Sequence, residues 1–268
     1  MKSLFASLLA LFFCAIPARA DDDPWPTIRK DLFGDRAIAV NDATMVLEAP
    51  DKAEDAAMVP MSINIYSTVA PRVKSLTLVI DRNPSPVVAR IDFGAAAGMG
   101  ERKLSTRVRF DSFSELRAIV ETDDGNLHMT SKFVRAAGGC SSIALKDAED
   151  AAAHIGEMRV AHLGYAPVFA SNASQRPMGE AQIMIRHPNT SGMQINPATN
   201  EYFPARFVNN LEVKRGADLV FRMEAGISIA TNPSFRFSYE PVNDEGLEVI
   251  AKDTDGEVFK GKGLPPST

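Results

Sequence analysis

The sequence predicts an all-β protein: two β-sandwiches in tandem, joined by a Gly-Gly-Cys loop and a partly helical linker. Three observations predict it. Apolar and polar residues alternate through two long regions, the signature of half-buried strands. Prolines and Asp/Asn/Gly turns punctuate both regions at short intervals, as sandwiches require. Between the regions lies a stretch with neither pattern, Arg135 to Leu145, with Gly138, Gly139 and Cys140 at its centre.

Residues 1–20 read as a signal peptide. Lys2 supplies the positive start, Leu4 to Ile16 an apolar run, and Ala18-Arg19-Ala20 a small-x-small cleavage site before Asp21. The run is shorter than the ~20 residues a membrane helix needs, and no later stretch is apolar enough to insert. Bulky Leu11-Phe12-Phe13 before Cys14 argues against a lipid anchor. An exported chain beginning near Asp21 is expected.

Residues 21–35 form an N-terminal lead. Pro26 suits the first turn of a helix, Thr27 to Phe33 can make about two turns, and Gly34 ends it. Trp25, the only tryptophan, is expected to dock on a neighbouring surface.

Residues 36–137 read as the first sandwich. Met61, Ile63 and Ile65 alternate, as do Leu76, Leu78 and Ile80, then Val108 and Phe110, then Leu116, Ala118 and Val120. Asp123-Asp124-Gly125-Asn126 turns the chain into a return strand through Leu127, Met129, Ser131 and Phe133.

Residues 138–158 are the cysteine loop and linker. Glycine loses the most backbone entropy on ordering, so Gly-Gly-Cys-Ser-Ser reads as a flexible, exposed loop. The alanine-rich, charged run from Lys146 favours helix, although a short helix alone is marginal.

Residues 159–265 read as the second sandwich, with strands over 182–186, 207–214, 219–223, 235–239 and 247–251. Turns fall at Arg215 to Asp218 and Asp253 to Gly256.

Cysteine arithmetic singles out Cys140. The chain has 2 cysteines, and Cys14 leaves with the leader. An odd cysteine in an exported protein implies a reactive thiol or an intermolecular bridge; a buried, inert cysteine is the bland alternative. Net charge is −5, and losing Lys2 and Arg19 makes the exported chain more acidic. That argues against a nucleic-acid binder, which wants a basic face.

Enzyme motifs are missing. There is no Gly-x-Ser-x-Gly, His-Glu-x-x-His or Cys-x-x-Cys. Gly94 to Gly100 lacks the Lys-Ser/Thr of a phosphate loop. Asp253, Asp255 and Glu257 hint at calcium but fall short of an EF-hand spacing, so a hairpin turn is the better reading. His128, His154, His162 and His187 show no metal spacing, and Met178 and Met193 lie too far apart for a copper site. No catalytic residue, metal ligand or cofactor is expected.

Several segments carry a family resemblance. In the first half they are Leu47 to Pro50, Ala53-Glu54-Asp55 with Val59-Pro60, Arg82-Asn83-Pro84-Ser85-Pro86, Ser105-Thr106-Arg107-Val108-Arg109, and Lys132-Phe133-Val134 leading to Gly138-Gly139-Cys140. These resemble SoxY, the sulfur-carrying subunit of the sulfur-oxidising SoxYZ carrier. In the second half, His187-Pro188, Pro204 to Val208 and Thr231 to Phe237 resemble SoxZ. The whole looks like the quinoprotein dehydrogenase-associated SoxYZ-like carrier proteins. The resemblance implies two Ig-like sandwiches, a periplasmic location and a link to PQQ-dependent alcohol dehydrogenases. It implies a non-enzyme that carries sulfur intermediates on Cys140, with Gly138 and Gly139 as the loop hinge, and presents them to partner enzymes. In the Sox subunit the cysteine ends a free arm, typically Gly-Gly-Cys-Gly-Gly. Here Ser141 and Ser142 follow and the chain runs on, so the arm is tethered at both ends. From Arg135 to Glu157 the contour, at ~3.3 Å per extended residue, allows a protruding loop. Two rival readings are a non-covalent accessory module for such a dehydrogenase and a redox-active thiol without a resolving cysteine.

Overall fold

The structure is a computed structural model that describes residues 23–41, 43–142, 145–165, 178–242 and 245–264. The signal-peptide expectation, residues 1–20, lies outside them. Among the described residues no helix is long and apolar enough to cross a membrane.

The first half contains α1 (Trp25–Phe33) and strands β1 (Ile38–Val40), β2 (Met45–Glu48), β3 (Val59–Ile65), β4 (Val73–Ile80), β5 (Val87–Phe93), β6 (Arg102–Val108), β7 (Ser114–Thr122) and β8 (Leu127–Val134). The cysteine segment follows, then α2 (Leu145–Ala153). The second half contains β9 (Met158–Tyr165), β10 (Gly179–Ile185), the small hairpin β11 (Ile195–Asn196) and β12 (Glu201–Tyr202), β13 (Val208–Arg215), β14 (Asp218–Ala225), β15 (Ser234–Tyr239), β16 (Leu247–Asp253) and β17 (Val258–Gly263).

The all-β, sandwiched architecture agrees with the alternation. Strand β3 buries Val59, Met61, Ile63 and Ile65 and turns Pro60, Ser62 and Asn64 outward, so its period of two settles its register. What alternation does not reveal is how the halves meet. A nine-stranded sheet runs β1-β8-β7-β4-β5-β14-β13-β16-β17, and a six-stranded sheet runs β2-β3-β6-β15-β10-β9. Both cross from one half to the other. Strand β14 pairs antiparallel with β5 from Phe221↔Phe93 to Ala225↔Ala89. Strand β15 pairs with β6 at Arg236↔Ser105 and Phe237↔Leu104. Loop and linker are therefore not the only join. Pairing β5 with β14 and β6 with β15 satisfies backbone groups that would be open edges in either half alone.

One core results. Leu76, Leu78, Ile91 and Phe110 from the first half pack in the same cluster as Phe221, Phe235, Phe237 and Tyr239 from the second. The Phe221 and Phe237 rings meet edge to face, 5.1 Å apart.

Helix α1 lies on the outer face of the large sheet. Its Trp25, Ile28, Leu32 and Phe33 cover Val79, Ile119, Leu127 and Met129. Gly34, at φ 62°, closes it with an N–H bond to Lys30 O. Trp25 docks as expected, with the Arg117 guanidinium 4.3 Å from its ring.

Candidate functional site

Strand β6 ends at Val108 and the chain continues through Arg109, Phe110 and Asp111. Strand β8 ends at Val134 and continues to Cys140. These two extensions run side by side. Gly138 N–H donates to Asp111 O (2.9 Å), Gly139 N–H to Phe110 O (2.7 Å), and Phe110 N–H to Ala56 O (2.9 Å). Cys140, next in the chain, falls within electrostatic reach of Arg109.

The cysteine segment differs from the flexible, exposed loop that its composition predicts. Cys140 is a free cysteine with 0 % exposure. The physical reason is close backbone approach. A Cβ on Gly139 would stand 2.1 Å from Ala56 O and 2.8 Å from Phe110 O, so only glycine lets the segment press into its groove. Gly138 takes a left-handed φ of 79°, and Ser142 N–H closes the turn onto Gly138 O at 3.0 Å. From the second half, Ser191 Oγ donates to Cys140 O at 2.6 Å, and Ser191 N–H donates to Gln194 Oε1 at 2.8 Å. Burial, with the nearby Asp111 carboxylate, pushes the Cys140 thiol up to about 11; the Arg109 charge opposes both.

Arg109 reaches across the seam. It is 2 % exposed. Its Nη1 donates to Asn189 O (2.7 Å) and Ile229 O (2.8 Å), and its Nη2 to Thr231 Oγ1 (2.8 Å). Its Nε–H has no acceptor. Burial lowers its pKa to about 10. Asn83 braces the same strand end: its Nδ2 donates to Arg109 O (2.7 Å) and Ser228 Oγ (2.9 Å), and its Oδ1 accepts from Asp111 N–H (2.8 Å).

The segments quoted for the family resemblance thus converge. Asn83, Arg109, Thr231 and Cys140 come from four separate stretches and assemble at one end of the seam. Sequence reading missed Arg109, Asp111, Ser191 and Gln194 as neighbours of the thiol.

Other candidates do not join them. His187 is buried; its Nδ1 accepts from Asn189 N–H (3.0 Å) and its Nε2 lies 3.5 Å from Asp253 Oδ2, an arrangement that fits neutral imidazole, and burial lowers its pKa. Asp253, Asp255 and Glu257 form the β16–β17 turn and surround the Arg206 guanidinium at 2.9, 2.9 and 3.0 Å. Among the described residues no group of three or more His, Cys, Asp or Glu could hold a metal. An open cleft of about 460 Å³ borders the root of the cysteine segment, lined by Lys52, Ala56, Phe113, Arg135 and Ala137.

Comparison with known proteins agrees with the resemblance. Residues 29–140 match the family of sulfur oxidation protein SoxY, and residues 170–263 match sulphur oxidation protein SoxZ. The SoxY match ends on Cys140. No curated protein matches the chain. Among solved structures, the sulfur carrier protein SoxY from Chlorobium limicola f thiosulfatophilum is 22% identical, covering 42% of this chain and 91% of its own, with a TM-score of 0.35. A superoxide reductase (neelaredoxin) from Ignicoccus hospitalis is 13% identical over 37% of this chain and 94% of its own, with a TM-score of 0.29. The chain belongs to the SoxY family over its first half and to the SoxZ family over its second, as a tandem SoxYZ-like protein.

Proposed function

We propose that this chain is a periplasmic carrier that binds sulfur-containing intermediates covalently on Cys140 and presents them to partner enzymes. The observation that carries the reading is that the SoxY match ends on Cys140, at the seam with the SoxZ half. A sulfur-oxidation carrier role follows from the two families; the attachment residue is the finer step.

Loading is an exchange at sulfur. The Cys140 thiolate attacks a central sulfur of tetrathionate. A new S–S bond forms, the old central S–S bond breaks, and thiosulfate leaves with its electron pair. Cys140 is left as an S-thiosulfonate, and the thiol proton goes to solvent. With polysulfide the same exchange leaves a persulfide and a polysulfide one sulfur shorter.

Burial makes the described conformation a resting one. With its pKa near 11, Cys140 is thiolate in roughly one molecule in ten thousand at pH 7. Once exposed, its pKa returns to ~8.5 and a few per cent ionises. Retraction is held by the Gly138, Gly139 and Ser191 hydrogen bonds, each worth about 1 kcal/mol net. Swinging out therefore turns on access and nucleophilicity together, with left-handed Gly138 as the pivot. The partner enzymes act on the exposed adduct; a PQQ-dependent dehydrogenase is the partner class that the resemblance implies.

Mass spectrometry of the Cys140 peptide, after exposure of native protein to tetrathionate or polysulfide, tests the reading. Added masses of thiosulfonate or sulfur are expected. A Cys140 that stays unmodified sinks it. If a Cys140→Ser chain retains full biological function, the accessory-module reading replaces it.

A further inference from the structure

Four buried arginines show how this fold treats internal positive charge. Arg117 is answered by Asp81 at 2.7 Å. Arg215 is answered by Asp218 at 3.0 Å and Glu245 at 3.2 Å. Arg102 also has only carbonyl acceptors, at Val73 and Gly98, and an unpaired Nε–H, but it lies 4.7 Å from the centre of the Phe93 ring. Arg109 is the most deeply buried of the four. Among the described residues no carboxylate lies within ion-pair distance of it, and no ring covers it. Its acceptors are neutral carbonyls and one hydroxyl, and its Nε–H points at no acceptor. A buried charge with no counter-ion is strongly unfavourable.

The strand extensions bring Cys140 within electrostatic reach of this charge: Gly138 bonds Asp111 and Gly139 bonds Phe110. Arg109 and Cys140 interact electrostatically in both directions. The other charged groups that face them are Asp111, which opposes a negative sulfur, and Asp55, which weakly favours the guanidinium. With a neutral thiol at Cys140, Arg109 stays uncompensated. A persulfide, S-sulfonate or S-thiosulfonate ends in an anion, and an anion there completes the site.

We propose that Arg109 is the counter-ion for negative charge borne by an adduct on Cys140, so that the loaded, anionic segment is held retracted more firmly than the empty one. This rests on the carrier reading for its cargo. Arg109 is a positioning residue: it distinguishes anionic from neutral cargo and shields the anionic form from solvent-borne nucleophiles until a partner draws it out.

The test loads the full chain chemically, so it does not depend on native loading. Cys140 is converted in urea to an S-sulfonate (anionic) or an S-methylthio form (neutral), and each is refolded. Release by dithiothreitol is timed and divided by the rate for the same adduct in urea. The anionic adduct of the wild type should be shielded at least about tenfold more than the neutral one, the effect of one unit of pKa coupling. In Arg109→Gln that ratio should fall to about one, and Arg109→Lys should restore most of it, which a merely structural role would not do. If Arg109→Gln does not refold, the wild type decides alone. Anionic and neutral adducts shielded equally, or a ratio unchanged in Arg109→Gln, overturn the proposal. Native protein that takes up no sulfur while the ratios hold refutes the carrier reading and leaves the role of Arg109 standing.

Discussion

Two arginines flank the long connection from β10 to β13, and they are treated in opposite ways. Arg206 is embraced by Asp253, Asp255 and Glu257. Arg109, at the other flank, meets only uncharged acceptors. His187 and Asn189 lie between them: His187 faces Asp253, while Asn189 gives its carbonyl to Arg109. The turn around Arg206 is electrostatically complete and has the look of a fastening. The site around Arg109 and Cys140 is tightly packed yet electrostatically open. Packing and charge balance are thus separable, and the open balance marks the place where chemistry is proposed.

The contrast can be attacked first through the glycines. Gly139→Ala should destabilise by more than about 3 kcal/mol, since the new Cβ must displace backbone at Ala56. Gly256→Ala, at the Arg206 turn, meets nothing within 4 Å and sits at φ 87°, so it should cost about 1 kcal/mol. Urea denaturation of both variants measures the gap; equal losses would erase the difference in packing between the regions.

Next in size is the alkaline side. The Cys140 pKa is raised in the folded state by burial, so the unfolded chain ionises first. Stability contributed by the protonated thiol is full below about pH 8.5 and declines toward pH 11, by ~3 kcal/mol in all. Cys140→Ala should lack this decline in urea titrations run from pH 7.5 to 10.

The Arg206 turn should fail on the acid side instead. Burial raises the Asp253 carboxyl, but Arg206, the Glu257 N–H and His187 together lower it more. Its contribution is present above about pH 4 and is lost as pH falls through the folded value. Arg206→Gln should cost about 2 kcal/mol at pH 7, because Asp253 stays buried without its partner. The loss should shrink in acid, as unfolding curves at pH 7 and pH 3.5 would show.

The smallest effect concerns the clasp. Ser191→Ala removes the bond to Cys140 O and should cost about 1 kcal/mol. Iodoacetamide should then label Cys140 about five-fold faster, whereas Arg206→Gln should leave labelling unchanged.

Much of this was legible in the sequence. Strict alternation located β3, β4, β7 and β8, and Asp123 to Asn126 located their turn. The short β1 and β2, and the proline-bordered β5, escaped because few residues alternate there. The shared sheets escaped for a different reason. Alternation fixes which face a strand buries and says nothing about what pairs with its edge. Cys140 was picked out by counting cysteines, yet its burial depends on Ala56, Phe110 and Ser191, all distant in sequence. Arg109 follows inward-facing Val108, so alternation turns it toward solvent; the second half, through Ile229 and Thr231, covers it.

The seam has a further consequence, for folding rather than transport. The bond from Arg109 to Ile229 spans 120 residues of chain, and the clasp from Ser191 to Cys140 spans 51. Such distant contacts form late, after the costly closure of long loops. Neither half alone makes the clasp on Cys140. A nascent or truncated chain therefore lacks the Ser191 bond to Cys140 O and the Asn189, Ile229 and Thr231 acceptors of Arg109 until the second half is made. Closing this seam thus waits on synthesis of the whole chain, and a chain cut short leaves the Arg109 guanidinium without its acceptors.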